Sequence, residues 1–348
     1  MEAHEFPDIL VAILYHSKLE GDFLRMLKSL SNVGPQNHII LLFIDNYSKD
    51  GAHELCKSWV EEHKDRYKGI IHVRARGNPV RLRNVAFKIG YEIGVKYLSF
   101  IESDVIVDEN FIIREYELLE EYHKKGRNVI SVSAVRYSPY ENLDFIERCV
   151  TKWLKKRRMK DVEVFEGEAF NSGNCIIDLT KAFDVGYFDE DIVFIEDLDW
   201  GRRAVKKGFI CLFDGRVQLL HMKKYSVRDL RKYFFRGALS EAKLFLKNGL
   251  MTAALRRVGY WCGLLLSAFI IGFTPIPFLI LLGIGYGAYA WRTIGLGRLL
   301  LYPILMPVNV AKSVALGLAI LYWLFRGDYS TEKVTVLDSE DWEIEYIK

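Results

Sequence analysis

Two acidic clusters and one histidine set out the chemistry open to this 348-residue chain. Glu102 and Asp104 flank Ser103 at the end of an apolar run, so both carboxylates project around one turn toward a common ligand. Oxygen donors of this kind suit Mg²⁺ or Mn²⁺, which take one or two carboxylates from a protein and keep waters or substrate phosphates. Acids also end strands for no chemical reason, and the pair alone is compatible with both readings. Farther along, Glu196 and Asp197 open a basic segment, 201–208, with the pattern of a helix. Adjacent acids at a helix start complement the macrodipole. The alternative is a general base that takes the proton from an attacking hydroxyl while its neighbour holds the geometry. His221, at the end of the apolar run 217–220, is a metal ligand, a phosphate contact or a structural histidine.

Something must hold these groups in place, and the apolar pattern says what. Strand-length apolar runs at 9–14, 38–44, 69–73, 97–101 and 129–135 alternate with amphipathic segments at 19–31, 51–67, 81–96 and 109–125. This is the rhythm of βαβ units, and it predicts an α/β fold with a mainly parallel sheet flanked by helices. Ligands of such sheets bind beyond the carboxyl ends of the strands. The polar segments that follow strands, 45–51 and 102–104, are therefore the leading site candidates. A basic cluster at Lys152, Lys155, Lys156, Arg157, Arg158 and Lys160 reads as a solvated helix face or a contact for phosphate or lipid headgroups.

Composition divides the chain further. Residues 258–325 carry only Arg292, Arg298 and Lys312 as charges and no acid. Such a stretch is expected to enter a membrane, as transmembrane or re-entrant helices broken at Pro275, Pro277, Pro303 and Pro307. The preceding segment, 226–257, is basic and amphipathic, as expected of interfacial helices beside an anionic lipid surface. No nucleic-acid motif accompanies it, and no nucleic-acid partner is expected. Residues 326–348, with seven acids against three bases, are expected to form an exposed tail. Five cysteines, odd in number and without C-x-x-C spacing, argue against both a disulfide framework and a zinc cluster and are read as reduced thiols. The acidic N-terminus lacks the basic n-region of a secretory signal, which places the large N-terminal part, 1–225, on the cytosolic side of a cell membrane.

Taken in order, Asp45-Asn46-x-Ser48-x-Asp50-Gly51, Arg83-Asn84, Glu102-Ser103-Asp104, Gly186-Tyr187-Phe188-Asp189-Glu190, Glu196-Asp197 and His221 resemble glycosyltransferase family 2 over about residues 8–225. The resemblance implies a GT-A fold, a UDP- or GDP-sugar donor, a divalent metal (Mn²⁺ or Mg²⁺) and inversion at the anomeric carbon. By the same resemblance Asp45 contacts the donor's base or ribose and Arg83 supports the nucleotide pocket. Glu102, Ser103 and Asp104 form the family's D-x-D-like turn at the metal and diphosphate, with Glu102 replacing the usual aspartate. Asp197 becomes the base, Glu196 its support, and His221 a group near the metal. Gly173, in Asn171-Ser172-Gly173-Asn174, resembles a small residue near the sugar.

With the membrane segment, the expectation is an inverting transferase that moves a sugar to a lipid-linked acceptor, such as a polyprenyl phosphate or glycolipid, at the cytosolic face. A processive polysaccharide synthase is the alternative within the same chemistry. The region after the acidic pair reads Leu230-Arg231-Lys232-Tyr233-Phe234-Phe235-Arg236, without the Gln-x-x-Arg-Trp motif such synthases carry. A non-catalytic, membrane-bound nucleotide-sugar-binding protein is the alternative outside it.

Overall fold

The computed structural model describes residues 6–16, 20–137, 164–222, 227–250, 252, 259, 302–335 and 342–347. The basic cluster at 152–160, the proline-broken stretch at 260–301 and part of the proposed interfacial segment lie outside the described residues. Among the described residues, no helix is long and apolar enough to cross a membrane.

The βαβ rhythm folds as the pattern requires. The chain runs β1 (Ile9–Tyr15), α1 (Glu20–Leu30), β2 (Ile39–Asp45), α2 (Ala52–His63), β3 (Gly69–Ala75), α3 (Pro79–Glu92), β4 (Tyr97–Glu102) and the short β5 (Val105–Ile106). Next come α4 (Phe111–Lys124), β6 (Val129–Tyr137), β7 (Val164–Gly167), β8 (Asn174–Asp178), α5 (Leu179–Val185), α6 (Glu196–Lys206) and β9 (Ile210–His221). Pro79 supplies the pre-set φ of a first helical residue, and Asn78 caps α3 by accepting from the Arg81 amide at 2.9 Å.

With a C-terminal strand β10 (Trp342–Ile347), one ten-stranded sheet carries the order β10-β3-β2-β1-β4-β8-β6-β9-β5, with β7 on β9. The run β3-β2-β1-β4 is parallel, and β8 enters antiparallel between β4 and β6. The sheet is therefore mixed, its parallel strands gathered at one side and in the β6–β9 pair. Residues of both sheet faces are buried: Ile9, Val11 and Ile13 pack on one side with Phe23 and Leu27 of α1, and Leu10 and Ala12 on the other with Phe87 of α3. Strands covered on both faces read as continuous apolar runs, and that is why they were visible in the sequence.

The acidic C-terminal segment does not form an exposed tail. Residues 342–347 make β10 (Trp342–Ile347), antiparallel to β3 at the sheet edge, with Trp342 buried in the core beneath Lys88. The alternation of aromatic, acidic and aliphatic residues there is a strand signal that net charge obscured. The register skips Glu345, since Ile344 faces Val73 and Tyr346 faces His72. Thr335 returns to the same unit, donating from its amide and hydroxyl to Glu190 at 3.1 and 2.6 Å.

The chain divides into two compact units, one of the described residues up to 222 with 333–347, the other of those between 227 and 332. In the second, α7 (Val227–Lys247) and α8 (Tyr302–Arg326) pack through Ala238, Ala242, Leu246, Leu316, Ala319, Ile320 and Trp323. The Trp323 indole donates to the Leu239 carbonyl at 2.8 Å.

A buried acid in α4 makes stability depend on pH. Glu115 is fully buried and neither carboxylate oxygen finds a hydrogen-bond partner. Burial, reinforced by the Asp214 carboxylate and opposed by Arg216, holds its carboxyl well above the usual range. A group raised in the folded state contributes its stability below its unfolded value, about 4.3 for Glu, and loses it as pH rises through the folded value. Glu115→Gln should therefore gain on the wild-type chain as pH rises from 4 to 8, by at most about 1.4 kcal/mol per pH unit. Thermal melts across that range check it; a difference that stays constant with pH would remove Glu115 as the cause.

Candidate active site

The carboxyl ends of adjacent strands assemble the site. Tyr15 lies beside Asp45 and Leu14 beside Glu102, so β1 separates the two acids by two strand spacings, about 10 Å. One edge of the sheet thus carries both polar segments singled out from the sequence.

At β4 the chain turns through Ser103 and Asp104 into β5, where Val105 pairs with His221. The Met222 amide donates to the Asp104 carbonyl at 2.8 Å, which fixes the end of β9 against this turn. In consequence His221 Nε2 comes to 3.4 Å from Asp104 Oδ1. Glu102, Asp104 and His221 each offer one ligand atom, all within 4.8 Å of one another. Two carboxylate oxygens and one imidazole fit a divalent cation of the Mn²⁺ type. Glu102, with an arm longer than the family's aspartate, still belongs to this donor set.

The segment 171–174 explains how. Asn174 donates from Nδ2 to Glu102 Oε2 at 3.2 Å and accepts from the Glu102 amide at 3.4 Å. A Cβ added to Gly173 would sit 2.4–2.5 Å from the Glu102 side chain. The absent side chain of Gly173 makes room for this carboxylate. Gly173→Ala should therefore lower kcat/KM about 100-fold through misplacement of Glu102. Adding Glu102→Asp, which shortens the arm, should recover part of the loss; a double variant no better than Gly173→Ala would break the link between these two positions.

Ser172 connects the same loop to α6. Its hydroxyl donates to Glu196 Oε1 at 2.9 Å, and its carbonyl accepts from Arg83 Nε at 3.0 Å. Arg83 Nη1 lies 3.1 Å from the same Glu196 oxygen. Arg83, expected at the nucleotide, ties α3 to α6 through the buried Glu196. Asp197 is the less buried of the acidic pair, in the first turn of α6, with Oδ1 accepting from the Leu198 amide at 2.8 Å. Asn84 holds the preceding segment through two bonds with Phe188, 2.9 Å from its amide and 3.0 Å to its carbonyl.

Asp45 is fully buried: Oδ1 accepts from the Ser48 amide at 2.8 Å and Oδ2 from Arg74 Nε at 3.1 Å, with His53 Nδ1 3.1 Å away. These contacts shape the 45–51 loop. What the loop presents is Tyr47, at φ 52°, with the guanidinium groups of Arg74 and Arg76 at 4.5 and 4.6 Å from its ring centre. Those cations and that ring went unassigned in the sequence, because the stacking is set by a left-handed residue no spacing reveals. Behind Asp45, burial and then the neighbouring His53 push the His72 imidazole down to about 4.

A parallel sheet edge that gathers a mixed acid and imidazole metal set beside an acidic helix start is the arrangement of a GT-A-type glycosyltransferase. A model of glycosyl transferase family 2 matches residues 10–185, and the chain belongs to that family. No curated protein matches it in sequence. Among solved structures it is similar to the mannosyltransferase PcManGT from Pyrobaculum calidifontis in complex with GDP-Man and Mn²⁺, at TM-score 0.63 and 15% identity over 92% of this chain and 88% of that one. GalNAc-T7 with UDP, GalNAc and Mn²⁺ follows at TM-score 0.49 and 13% identity, over 71% of this chain and 51% of its own. Residues 1–349 of S. aureus TarS give 0.46 and 15%, over 69% and 65%. At these identities the likeness to PcManGT is one of fold.

Proposed function

We propose that the protein is an inverting, metal-dependent transferase that moves a sugar from a UDP- or GDP-sugar to a lipid-linked acceptor at the cytosolic face of a membrane. The observation that carries the reading is the convergence of Glu102, Asp104 and His221 at the strand ends, one hydrogen-bonded loop away from Glu196 and Asp197. Inversion by a single displacement needs a base on the acceptor side and positive charge at the departing diphosphate. A divalent ion held by Glu102, Asp104 and His221 supplies that charge when bound. Asp197 takes the acceptor proton, held in register by the Arg83–Glu196–Ser172 chain. Tyr47 with Arg74 and Arg76 offers a flat, cationic surface suited to a nucleotide.

The acceptor assignment draws on the second unit. Leu318, Leu321 and Phe325 of α8 are 62, 51 and 89% exposed, spaced along one helical face. Together with the weakly charged stretch 258–325 and the basic stretch before it, they support contact with lipid.

Radiolabelled UDP- and GDP-sugars incubated with a native lipid extract and Mn²⁺ or Mg²⁺ test the reading. Metal-dependent label in extractable lipid is the expected result. Label in material too large to extract would favour a processive synthase, and donor binding without transfer under any acceptor would favour a binding role.

A further inference from the structure

A second cluster of metal-binding side chains lies behind Asp45, sharing no residue with Glu102, Asp104 and His221. His53 Nε2 is 3.1 Å from Glu345 Oε2, and His72 Nδ1 is 3.9 Å from the same oxygen. The three ligand atoms lie within 4.8 Å of one another. A tetrahedral ion about 2.1 Å from each ligand holds its ligand atoms about 3.4 Å apart, close to these separations.

The remaining nitrogens of both rings already face oxygens. His72 Nε2 is 2.7 Å from the Tyr15 hydroxyl, and His53 Nδ1 is 3.1 Å from Asp45 Oδ2. The bond to Tyr15 orients the His72 ring as a second partner does for a metal-ligating imidazole, while the His53 contact with Asp45 is one of ion-pair distance. Without an ion the cluster is poorly satisfied. Glu345 Oε2 is a buried atom that completes no hydrogen bond, despite Lys57 Nζ at 3.0 Å from it and Arg74 Nη1 at 3.8 Å from its twin. The Lys57 side chain is 51% exposed and free to turn to solvent. Glu345 is also the residue that the β10 register skips, and a bulge of this kind re-aims a side chain out of strand alternation.

We propose that His53, His72 and Glu345 bind a divalent transition metal, with zinc the best match to two imidazoles and one carboxylate, and that this ion fastens β10 to the sheet. Because His53 faces Asp45, which holds the Ser48 amide and Arg74, the ion also stiffens the loop beside the nucleotide surface.

The test is zinc content after dialysis against micromolar free zinc, measured on the full chain carrying Asp104→Asn so that the other metal cluster is disabled. One bound zinc per chain is expected, giving a tetrahedral Co²⁺ absorption spectrum on replacement. Adding Glu345→Gln should abolish both. Lys57→Met, at an exposed position, should raise zinc affinity about tenfold by removing the competing ammonium. Absence of zinc from the folded Asp104→Asn chain, retention of zinc by Glu345→Gln, or weaker zinc binding by Lys57→Met would each overturn the proposal. None of these readouts depends on sugar transfer, so they stand apart from the test of the transferase reading.

Discussion

Asp197→Asn is expected to reduce kcat by about 10²–10⁴-fold with little change in KM for the nucleotide sugar. The substitution keeps shape and removes the carboxylate proposed as proton acceptor. The α6 start survives it, because the neighbouring Glu196 is tied to Arg83 and Ser172 independently of Asp197. Glu196→Gln has a different signature: it leaves Arg83 without its partner carboxylate, and a lower melting temperature accompanies the loss of rate. Steady-state kinetics and thermal melts on both variants separate the two roles. An Asn variant with wild-type kcat would remove Asp197 as base, and equal destabilisation by both substitutions would make the pair structural.

Asp104→Asn should lower kcat/KM about 10²–10³-fold and shift half-saturation to higher Mn²⁺. The carboxylate it removes is the one facing His221 Nε2 at 3.4 Å, and the backbone bond from Met222 to the Asp104 carbonyl is untouched. Fold is thereby preserved while one anionic donor is lost. Raising the Mn²⁺ concentration should restore part of the rate. Transfer with unchanged rate and unchanged metal dependence would exclude Asp104 from the donor set.

The parallel strands and their helices were legible because burial on both faces leaves long apolar runs, and the acids at 102–104 and 196–197 because they break the apolar pattern at a strand end and a helix start. Partnership was not legible. Nothing in the spacing of Arg83 and Glu196 says that they meet, since the contact depends on how α3 and α6 pack on one face of the sheet. Asp45 was found as a position without its protein partners, because the groups that engage it, Ser48, Arg74 and His53, come from three separate segments. Gly173 carried a visible signal, an absent side chain, but the neighbour it makes room for in the protein, Glu102, could not be read from spacing. The C-terminal strand was hidden by its acidity: the balance of charge over 326–348 outweighed the local alternation at 342–347.

That strand also dictates an order of assembly. The edge of β3 leaves the ribosome early, while β10 appears only after everything between them, the weakly charged stretch included, has been synthesised. Until then the nascent sheet carries an open edge, the kind of surface on which chains aggregate. Completion of the sheet therefore waits for synthesis of the whole weakly charged stretch, and a fusion partner placed directly after β10 would burden the last step of folding.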